Sequence, residues 1–366
     1  MALSSDTLTY IADTALDWYL DKGTVYAQSL QNKPLLQQLE NKAKTFPGGK
    51  GAIDIAVKGD YTATVSGYNG DDAVTYATPE NVKRVNFPWK EHHTGISITM
   101  TELKMDGISV VDSARGDDIT NHAGREQTML VNLFQDKLDD MMEGYARGMN
   151  THLWGDGTTS NVVKGVRSIV LDDPSASSTT IGGLRSDTNT WWRNRFKVGA
   201  GAAYTTASTG SINTSATGTE LIEAVHSELR QLRRYGGRPD IALCGSDFLD
   251  RLSDELRRNG NYTQTGFGNR SATDIGMAEI HYGGLVFRYD PTLDDLTDDA
   301  GNNIYWKKRC YMLDSSKLAL YYMDGERQKR HSPARPETKY VIYRAITTTC
   351  ALVATQLNCH GVYQFA

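Results

Sequence analysis

The residues of this sequence that could do chemistry begin with a glycine-rich stretch, VGAGAAY, at positions 198–204. It contains half of a dinucleotide-binding fingerprint, but Tyr204 stands where the third small residue belongs. The TTASTGS that follows is not a helix pattern, so no helix N-terminus is available to hold a pyrophosphate. We therefore predict no nucleotide cofactor, and no cofactor of another kind is indicated.

Two other patterns contain residue types that can bind metal ions. His92 and His93 are adjacent, so on a strand they point to opposite faces and cannot share one metal ion; we expect isolated surface histidines. In the acidic run DPTLDDLTDDAGNN the aspartate spacing does not fit a calcium loop. Trp306 or Lys307 stands near the place where a bidentate glutamate would be needed. We predict a solvated acidic loop and no metal site.

Motifs for nucleophilic or phosphoryl-transfer catalysis are missing from the sequence, which has no G-x-x-x-x-G-K-[ST], G-x-S-x-G or H-E-x-x-H. The basic run ERQKRHSPARPE, residues 326–337, fits either a phosphate contact or a surface turn that pairs with the acidic loop of a neighbouring molecule. It lacks the interleaved aromatic residues of a nucleic-acid-binding motif. We predict no catalytic residue.

The composition is that of an ordinary folded chain, with 366 residues, 39% hydrophobic and 23% charged. A net charge of -5 gives no overall field that attracts nucleic acid. No apolar run reaches the roughly 18 residues that span a bilayer, and the N-terminus lacks the basic region of a signal peptide. The four scattered cysteines form no C-x-x-C, which favours free thiols in a reducing compartment, although a disulfide between two of them stays open.

Any site would be positioned by the helices and strands of the fold. The first two segments of the chain have weak secondary-structure patterns. Residues 1–45 have loose helical periodicity, interrupted by Gly23 and Pro34, and too little apolar surface for a core, so they predict an arm that docks on another surface. Residues 46–101 alternate as strands around a polar, glycine-rich stretch. This pattern predicts a long two-stranded ribbon, and because isolated ribbons are marginal in water we expect it to lie on a neighbour.

The strongest helical pattern covers residues 119–154, where apolar residues recur every three or four positions. A continuous helix from Arg125 would be about 45 Å long at 1.5 Å per residue. Gly144 and Gly148 lie four apart inside it, each costing about 1 kcal/mol relative to alanine. Two explanations stay open: close packing against a strand, or a point at which the helix bends.

The remaining chain divides into three parts. Residues 155–216 are mostly loop, and residues 217–335 predict a separate α/β unit with two helices and several short strands. Residues 339–365 are β-rich and nearly uncharged. A chain with an arm, a ribbon, a long helix and no catalytic constellation is typical of an assembly protein rather than an enzyme.

Two adjacent tryptophans stand in the loop GGLRSDTNTWWRNR, residues 182–195. Tryptophan and arginine concentrate binding energy at protein interfaces. We therefore expect Trp191 or Trp192 to be buried, with Arg185, Arg193 or Arg195 pairing across or near a subunit boundary. The alternative is an anchor within the same chain, under the long helix.

The order of these parts resembles the major capsid protein of tailed bacteriophages, which has the Hong Kong 97-type α+β fold. HLWGDGTTSN after the long helix and the tryptophan segment are similar to stretches found in this family. The resemblance implies a division into four parts: an N-terminal arm, 1–45; an extended β-hairpin loop (E-loop), 46–101; a peripheral domain, 102–216 and 336–366, with its spine helix at 119–154; and an axial domain, 217–335.

The resemblance also implies partners and a location. The subunit would form the hexamers and pentamers of an icosahedral shell around double-stranded DNA, without sequence-specific contact and without a membrane. A separate scaffolding protein, a portal and in some cases a decoration protein would join it, and assembly would take place in the cytoplasm of the bacterial host. Two alternatives are an encapsulin-type shell and an α/β enzyme with an unrecognised site in 217–335.

Overall fold

The computed structural model describes residues 3–4, 33–48, 50–59, 65–74, 76, 81–105, 110–111, 123–198, 212, 219–258, 279–296, 304–333 and 340–365. The helices are α1 (Pro34–Asn41), α2 (Met100–Met105), α3 (Ala123–Leu153), α4 (Val166–Ile169), α5 (Glu220–Arg233), α6 (Ser246–Arg258), α7 (Pro291–Asp295) and α8 (Ile304–Lys307). The strands before α5 are β1 (Leu3–Ser4), β2 (Lys44–Phe46), β3 (Ala52–Lys58), β4 (Val82–Pro88), β5 (Lys90–Thr99), β6 (Val110–Val111), β7 (Thr180–Ile181), β8 (Leu184–Arg185) and β9 (Arg195–Lys197). The later strands are β10 (Ile241–Cys244), β11 (Glu279–Tyr282), β12 (Leu285–Tyr289), β13 (Arg309–Leu313), β14 (Leu318–Met323), β15 (Lys329–His331), β16 (Val341–Ala354) and β17 (Gly361–Gln364). Within these described ranges, no helix has the length and apolar character needed to cross a membrane.

The predicted spine helix is confirmed as α3, an uninterrupted helix of 31 residues. Its apolar stripe packs on a five-stranded sheet in which the long strand β16 pairs with β15, β14 and β5, and β2 lies at one edge. Leu138 and Met142 of the helix form one apolar cluster with Ile346 of β16, and the Tyr145 hydroxyl donates to Thr348 Oγ1 at 2.9 Å. The first part of the β-rich C-terminal run therefore lies beside the spine helix.

The described end of the arm, from residue 33 to residue 48, docks on its own chain. Leu35, Leu36 and Leu39 of α1 are almost fully buried in the main core. Asn150 Oδ1 of the spine helix accepts the Leu36 amide at 3.2 Å. Pro34 is the first residue of α1, where its missing N–H leaves no bond unmade, so a helix begins at the proline that the sequence marked as an interruption.

The predicted ribbon is present as the antiparallel pair β3–β4. Its root packs on the same chain: Ile53, Val57, Val85 and Phe87 are buried in the main core. The root of the ribbon is therefore stabilised by intrachain burial, and contact of the outer ribbon with a neighbour stays a prediction. Farther out, described residues 65–74 and 76 are all exposed.

A six-stranded sheet in the order β11-β12-β10-β13-β17-β9 forms the second layer. Helices α5 and α6 cover it with a separate apolar cluster that includes Leu229, Phe248 and Phe287. The sheet does not follow the boundaries 217 and 335. Strands β9 and β17 come from outside that range, whereas β14 and β15 from inside it join the five-stranded sheet. Backbone hydrogen bonds between strands far apart in the chain therefore connect the unit 217–335 with the rest of the subunit.

Gly144 and Gly148 lie on the outward side of the spine helix. Gly144 is exposed and Gly148 is half-buried. A Cβ atom at either position would meet no atom within 4 Å beyond the helix's own nearby backbone. Close packing within the subunit therefore does not explain these glycines, and the bend remains as a prediction.

Candidate assembly interface

The glycine pair that opens the tryptophan segment forms a tight turn between β7 and β8. Gly182 has φ +60° and Gly183 has φ +78°, a left-handed conformation that glycine adopts without steric cost. The Gly182 carbonyl accepts the Asn86 amide of the ribbon at 2.8 Å. A side chain at position 182 would press on Phe87, with its Cβ 3.2 Å from the ring. The turn therefore attaches the tryptophan segment to the root of the ribbon.

Trp192 is the internal anchor of this segment. It is 2% exposed, belongs to the main core, and donates its indole N–H to the Ile181 carbonyl at 3.1 Å. Trp191 is only half-buried and meets Trp192 edge-on, with ring centroids 6.0 Å apart. Gly59, just beyond β3, lies so close to the Trp191 ring that any side chain there would collide with it. Of the two tryptophans, Trp192 is buried and Trp191 remains partly open to solvent.

Arg193 and Arg185 hold the loop together locally. The Arg193 guanidinium donates to the carbonyls of Ser186 and Asp187, both at 2.6 Å. Arg185 is exposed and pairs with Asp187, and this guanidinium holds the pKa of the Asp187 carboxyl well below its usual range. Both arginines therefore have intrachain partners, and their contact with another subunit stays a prediction.

Arg195 ties the tryptophan segment to α5. Its Nε and Nη2 atoms donate to the two oxygens of Glu228 at 3.0 and 2.9 Å. Glu228 is 2% exposed and also accepts from the Tyr363 hydroxyl at 3.2 Å, while Lys197 lies 3.6 Å away. A buried carboxylate without its cation is strongly unfavourable, so this pair fixes the loop to the second sheet.

We expect Arg195→Ala to lower the free energy of unfolding by about 1–2 kcal/mol, because it leaves Glu228 buried with only Lys197 nearby. This value is below that of a fully buried pair, since the Arg195 side chain is 43% exposed and water screens it. Urea unfolding of unassembled subunits measures the change. Arg185→Ala is the matched control and should have a smaller effect, because water screens its exposed pair with Asp187; equal effects of both substitutions would contradict the assignment.

The tryptophan segment lines an open groove with a volume of about 960 Å³. We call it the tryptophan groove; its walls are Val57–Gly59 at the end of β3, the run Thr190–Lys197, Ser175, Tyr235 and the loop Thr355–Asn358. Four of these residues are basic and none is acidic. Trp191 and the 58%-exposed Tyr235 add aromatic surface. The groove contains arginine and aromatic side chains, which protein interfaces favour.

The histidine pair differs from the prediction at one of its two positions. His93 is exposed, as expected. His92 is not an isolated surface histidine: its ring stacks on His152 of the spine helix, with centroids 5.3 Å apart. Burial, helped by the charge of His152, lowers the pKa of His92 to about 4. In the part of the chain that the structure describes, no group of three or more His, Cys, Asp or Glu side chains could hold a metal.

The start of the acidic run makes intrachain hydrogen bonds that the sequence did not predict. Asp290 is fully buried, caps α7 by accepting the Thr292 amide at 3.0 Å, and accepts the Trp154 indole N–H at 2.9 Å. Asp294 accepts the Tyr289 hydroxyl at 2.8 Å. The start of this run is therefore a helix cap and not a solvated loop, because its carboxylates satisfy buried donors. Residues 297–303 lie outside the described residues.

Three further sequence features remain: the basic run, the cysteines and the glycine-rich stretch. Arg327 of the basic run stacks on Tyr322 and pairs with Glu40, so its charge is used within the chain. The four cysteines are buried free thiols. Of the glycine-rich stretch 198–204, only the first residue lies among the described residues.

Comparison with a solved capsid structure supports the fold. The cyanophage A-1(L) capsid asymmetric unit is similar over 91% of this chain and 92% of that chain, with a TM-score of 0.59 and 16% identity. The capsid of cyanophage P-SCSP1u is similar over 88% and 86%, with a TM-score of 0.48 and 13% identity. None of the curated proteins is significantly similar in sequence.

A long spine helix beside one sheet, an extended ribbon and a second sheet covered by helices define the coat subunit of a phage head with the Hong Kong 97-type fold. The sequence model of the SU10 major capsid protein family matches residues 51–365, and the chain belongs to this family. The protein is therefore a structural subunit of a phage capsid that assembles with other subunits into a shell, and it is not an enzyme.

Proposed function

We propose that the tryptophan groove and the ribbon are the principal contacts between subunits in the hexamers and pentamers of this shell. The observation that carries the proposal is the distribution of exposed apolar side chains. Among the described residues nine large hydrophobic side chains are exposed, and five of them lie in the ribbon region between Val65 and Val82. A concentration of exposed apolar groups in one element is typical of an interaction surface.

The proposal also includes the other components of the phage head and the place of assembly. A separate scaffolding protein directs closure in the bacterial cytoplasm, a portal occupies one vertex, and a decoration protein can cover the outside. Double-stranded DNA fills the shell without sequence-specific contact. The net charge of -5 supports this, because a strongly basic wall would hold the duplex as it enters.

We also propose the domain division into arm, 1–45; E-loop, 46–101; peripheral domain, 102–216 and 336–366; and axial domain, 217–335. The separate apolar cluster under α5 and α6 supports an axial unit. Each of the two large sheets contains strands from both ranges, which supports axial and peripheral units that are joined by backbone hydrogen bonds rather than through a flexible linker.

The experiment that tests the proposal is negative-stain electron microscopy of the purified protein, together with its sedimentation profile. Closed shells, tubes or isolated hexamers and pentamers are expected. A species that remains monomeric at high concentration, with scaffolding protein and with crowding agent present, would contradict it.

We further propose that Gly144 and Gly148 allow the spine helix to bend as the shell changes between two packings of the same subunit. Replacing both by alanine should stabilise the unassembled subunit by about 1–2 kcal/mol, because each glycine weakens a helix and a methyl group has room here. The same variant should form shells that fail to mature. Thermal unfolding and electron microscopy measure the two effects, and normal maturation of the double variant would rule out the bend.

A further inference from the structure

We propose that Cys244 and Cys310 form a disulfide within the subunit after the shell leaves the host cytoplasm, and that this bond stabilises the subunit by joining the two central strands of the six-stranded sheet. The timing rests on the proposed function, because the cytoplasm keeps thiols reduced and the medium outside the cell does not. The choice of these two cysteines among the four rests on the geometry of β10 and β13.

The register of the sheet places the two cysteines directly opposite each other. In the antiparallel pair β10–β13, Cys244 is the Cα partner of Cys310. The Gly245 amide donates to the Arg309 carbonyl at 3.0 Å, so the hydrogen-bonded pair is the next one along and the cysteines occupy a non-hydrogen-bonded pair. At such a position the Cα atoms are about 4.5 Å apart, within the range that a disulfide spans.

Both thiols lie on the same face of the sheet. Cys244 and Cys310 are fully buried and belong to the apolar cluster under α5 and α6, together with Phe248. Burial, helped by direct interaction with the Cys310 thiol, raises the pKa of Cys244 well above its usual range. Two thiols that share a register position, a face and a direct contact need little backbone movement to join.

The backbone holds Cys244 in place on both sides. Its carbonyl accepts the Asp290 amide at 3.0 Å, at the end of the neighbouring parallel strand β12. The following residue, Gly245, lies so close to the Lys307 carbonyl that a side chain there would collide with it. Thiols that are fixed beside each other react at a high effective concentration, because neither strand has to be brought to the other.

The other two cysteines lie elsewhere in the subunit. Cys350 of β16 belongs to the main core and has Tyr322 and Lys90 as its cross-strand partners. Cys359 lies in the loop before β17 and donates to the Gln356 carbonyl at 3.3 Å. Burial raises the pKa of each of these thiols to about 12. They serve as internal controls, and both should remain thiols.

A peroxide, small enough to reach a buried site when the subunit opens transiently, is the oxidant. One thiolate attacks hydrogen peroxide, the O–O bond breaks, and protonation of the leaving hydroxide gives a sulfenic acid and water. The second thiol attacks the sulfenic sulfur, the S–S bond forms, and the hydroxyl leaves with the thiol proton as a second water. Two thiols are thereby oxidised and one peroxide is reduced. The raised pKa of Cys244 keeps its thiolate scarce, so the bond forms slowly.

Thiol mapping of assembled shells tests the pairing. Shells are freed of reductant, incubated with hydrogen peroxide, unfolded in N-ethylmaleimide and digested without reductant. We expect alkylated cysteines to fall from four to two per subunit, with one linked pair of peptides that joins positions 244 and 310. Shells alkylated at the moment of lysis should keep four thiols. Oxidised shells should melt about 5 °C above reduced ones, because the cross-link constrains the unfolded chain.

Two variants separate the pair from the other cysteines. Cys310→Ala should lose the linked peptides and the gain in melting temperature, whereas Cys359→Ala, the matched control, should keep both. Mapping of the wild type decides the pairing even if Cys310→Ala does not fold.

Each contrary outcome bears on a separate statement. Four alkylated thiols after peroxide, oxidation to sulfinic acid, or a bond to Cys350 or Cys359 would overturn the pairing and leave the proposed function intact. Linked peptides already present at lysis would overturn the timing, and linkage without a rise in melting temperature would overturn the stabilising role. Failure of the wild type to assemble would count against the proposed function, and the same mapping on unassembled subunits would still test the pair.

Discussion

Trp192→Ala is expected to lower the free energy of unfolding by about 3–5 kcal/mol, the usual range for removing a large buried aromatic side chain. The indole is 2% exposed, and the change would leave both a cavity in the main core and the Ile181 carbonyl without its donor. The urea midpoint of unassembled subunits, followed by far-UV circular dichroism, measures the loss. We expect most of this variant to be insoluble at 37 °C, because such a loss is a large fraction of the stability of a typical domain.

Trp191→Ala is the matched control, since it removes the same side chain one position away. Trp191 is half-buried and lines the groove, so its loss should change subunit stability less and shell assembly more. Trp192→Phe keeps most of the apolar volume and isolates the cost of the lost hydrogen bond. If Trp192→Ala and Trp191→Ala destabilise the subunit equally, the division into anchor and contact residue is wrong.

The second large effect is a loss of stability in mild acid that depends on His360. This residue is fully buried, and its Nδ1 atom accepts the Asp314 amide at 3.1 Å, so the folded subunit holds the neutral ring. Burial lowers the pKa of His360 to about 4, below the unfolded value near 6.5. The unfolded chain therefore binds a proton first, and the stabilisation is present above pH 6.5 and lost as the pH falls toward 4.

Linkage gives the size of this effect. Between pH 7 and pH 5, His360 alone should remove about 2 kcal/mol of unfolding free energy. Urea unfolding at these two pH values measures it, and His360→Asn, whose side-chain oxygen can still accept the Asp314 amide, should have a smaller pH dependence. His93→Asn, at an exposed position on β5, is the control and should behave like the wild type. An unchanged pH dependence in His360→Asn would contradict the assignment.

The elements that the sequence predicted well are those whose pattern is local. The spine helix shows its periodicity over many turns, and β3, β4 and β10 show apolar spacing within a few residues. The tryptophan pair indicated a contact region because two large apolar side chains in a polar loop need a partner. Which of the two is the anchor depends on the position of Ile181 and the main core, which local spacing does not contain.

Other features of the candidate interface were missed because they depend on residues far apart in the chain. Glu228 gave no signal in its helix, yet it pairs with Arg195, 33 positions away. Asp290 looked like one of several solvated acids until Trp154, 136 positions away, supplied its donor. A charged residue has the same appearance in sequence whether water or a buried donor surrounds it, so its role is decided by burial.

The class of this protein could be inferred from its sequence: an arm, a ribbon, a spine helix and an α/β unit without catalytic residues, resembling a phage coat subunit. How these parts combine depends on the tertiary structure. It placed the ribbon root on its own core, divided the strands of residues 217–335 between two sheets and gathered four basic residues around Trp191. The physical reason is that periodicity indicates which face of an element is apolar, whereas long-range packing determines which other element buries that face.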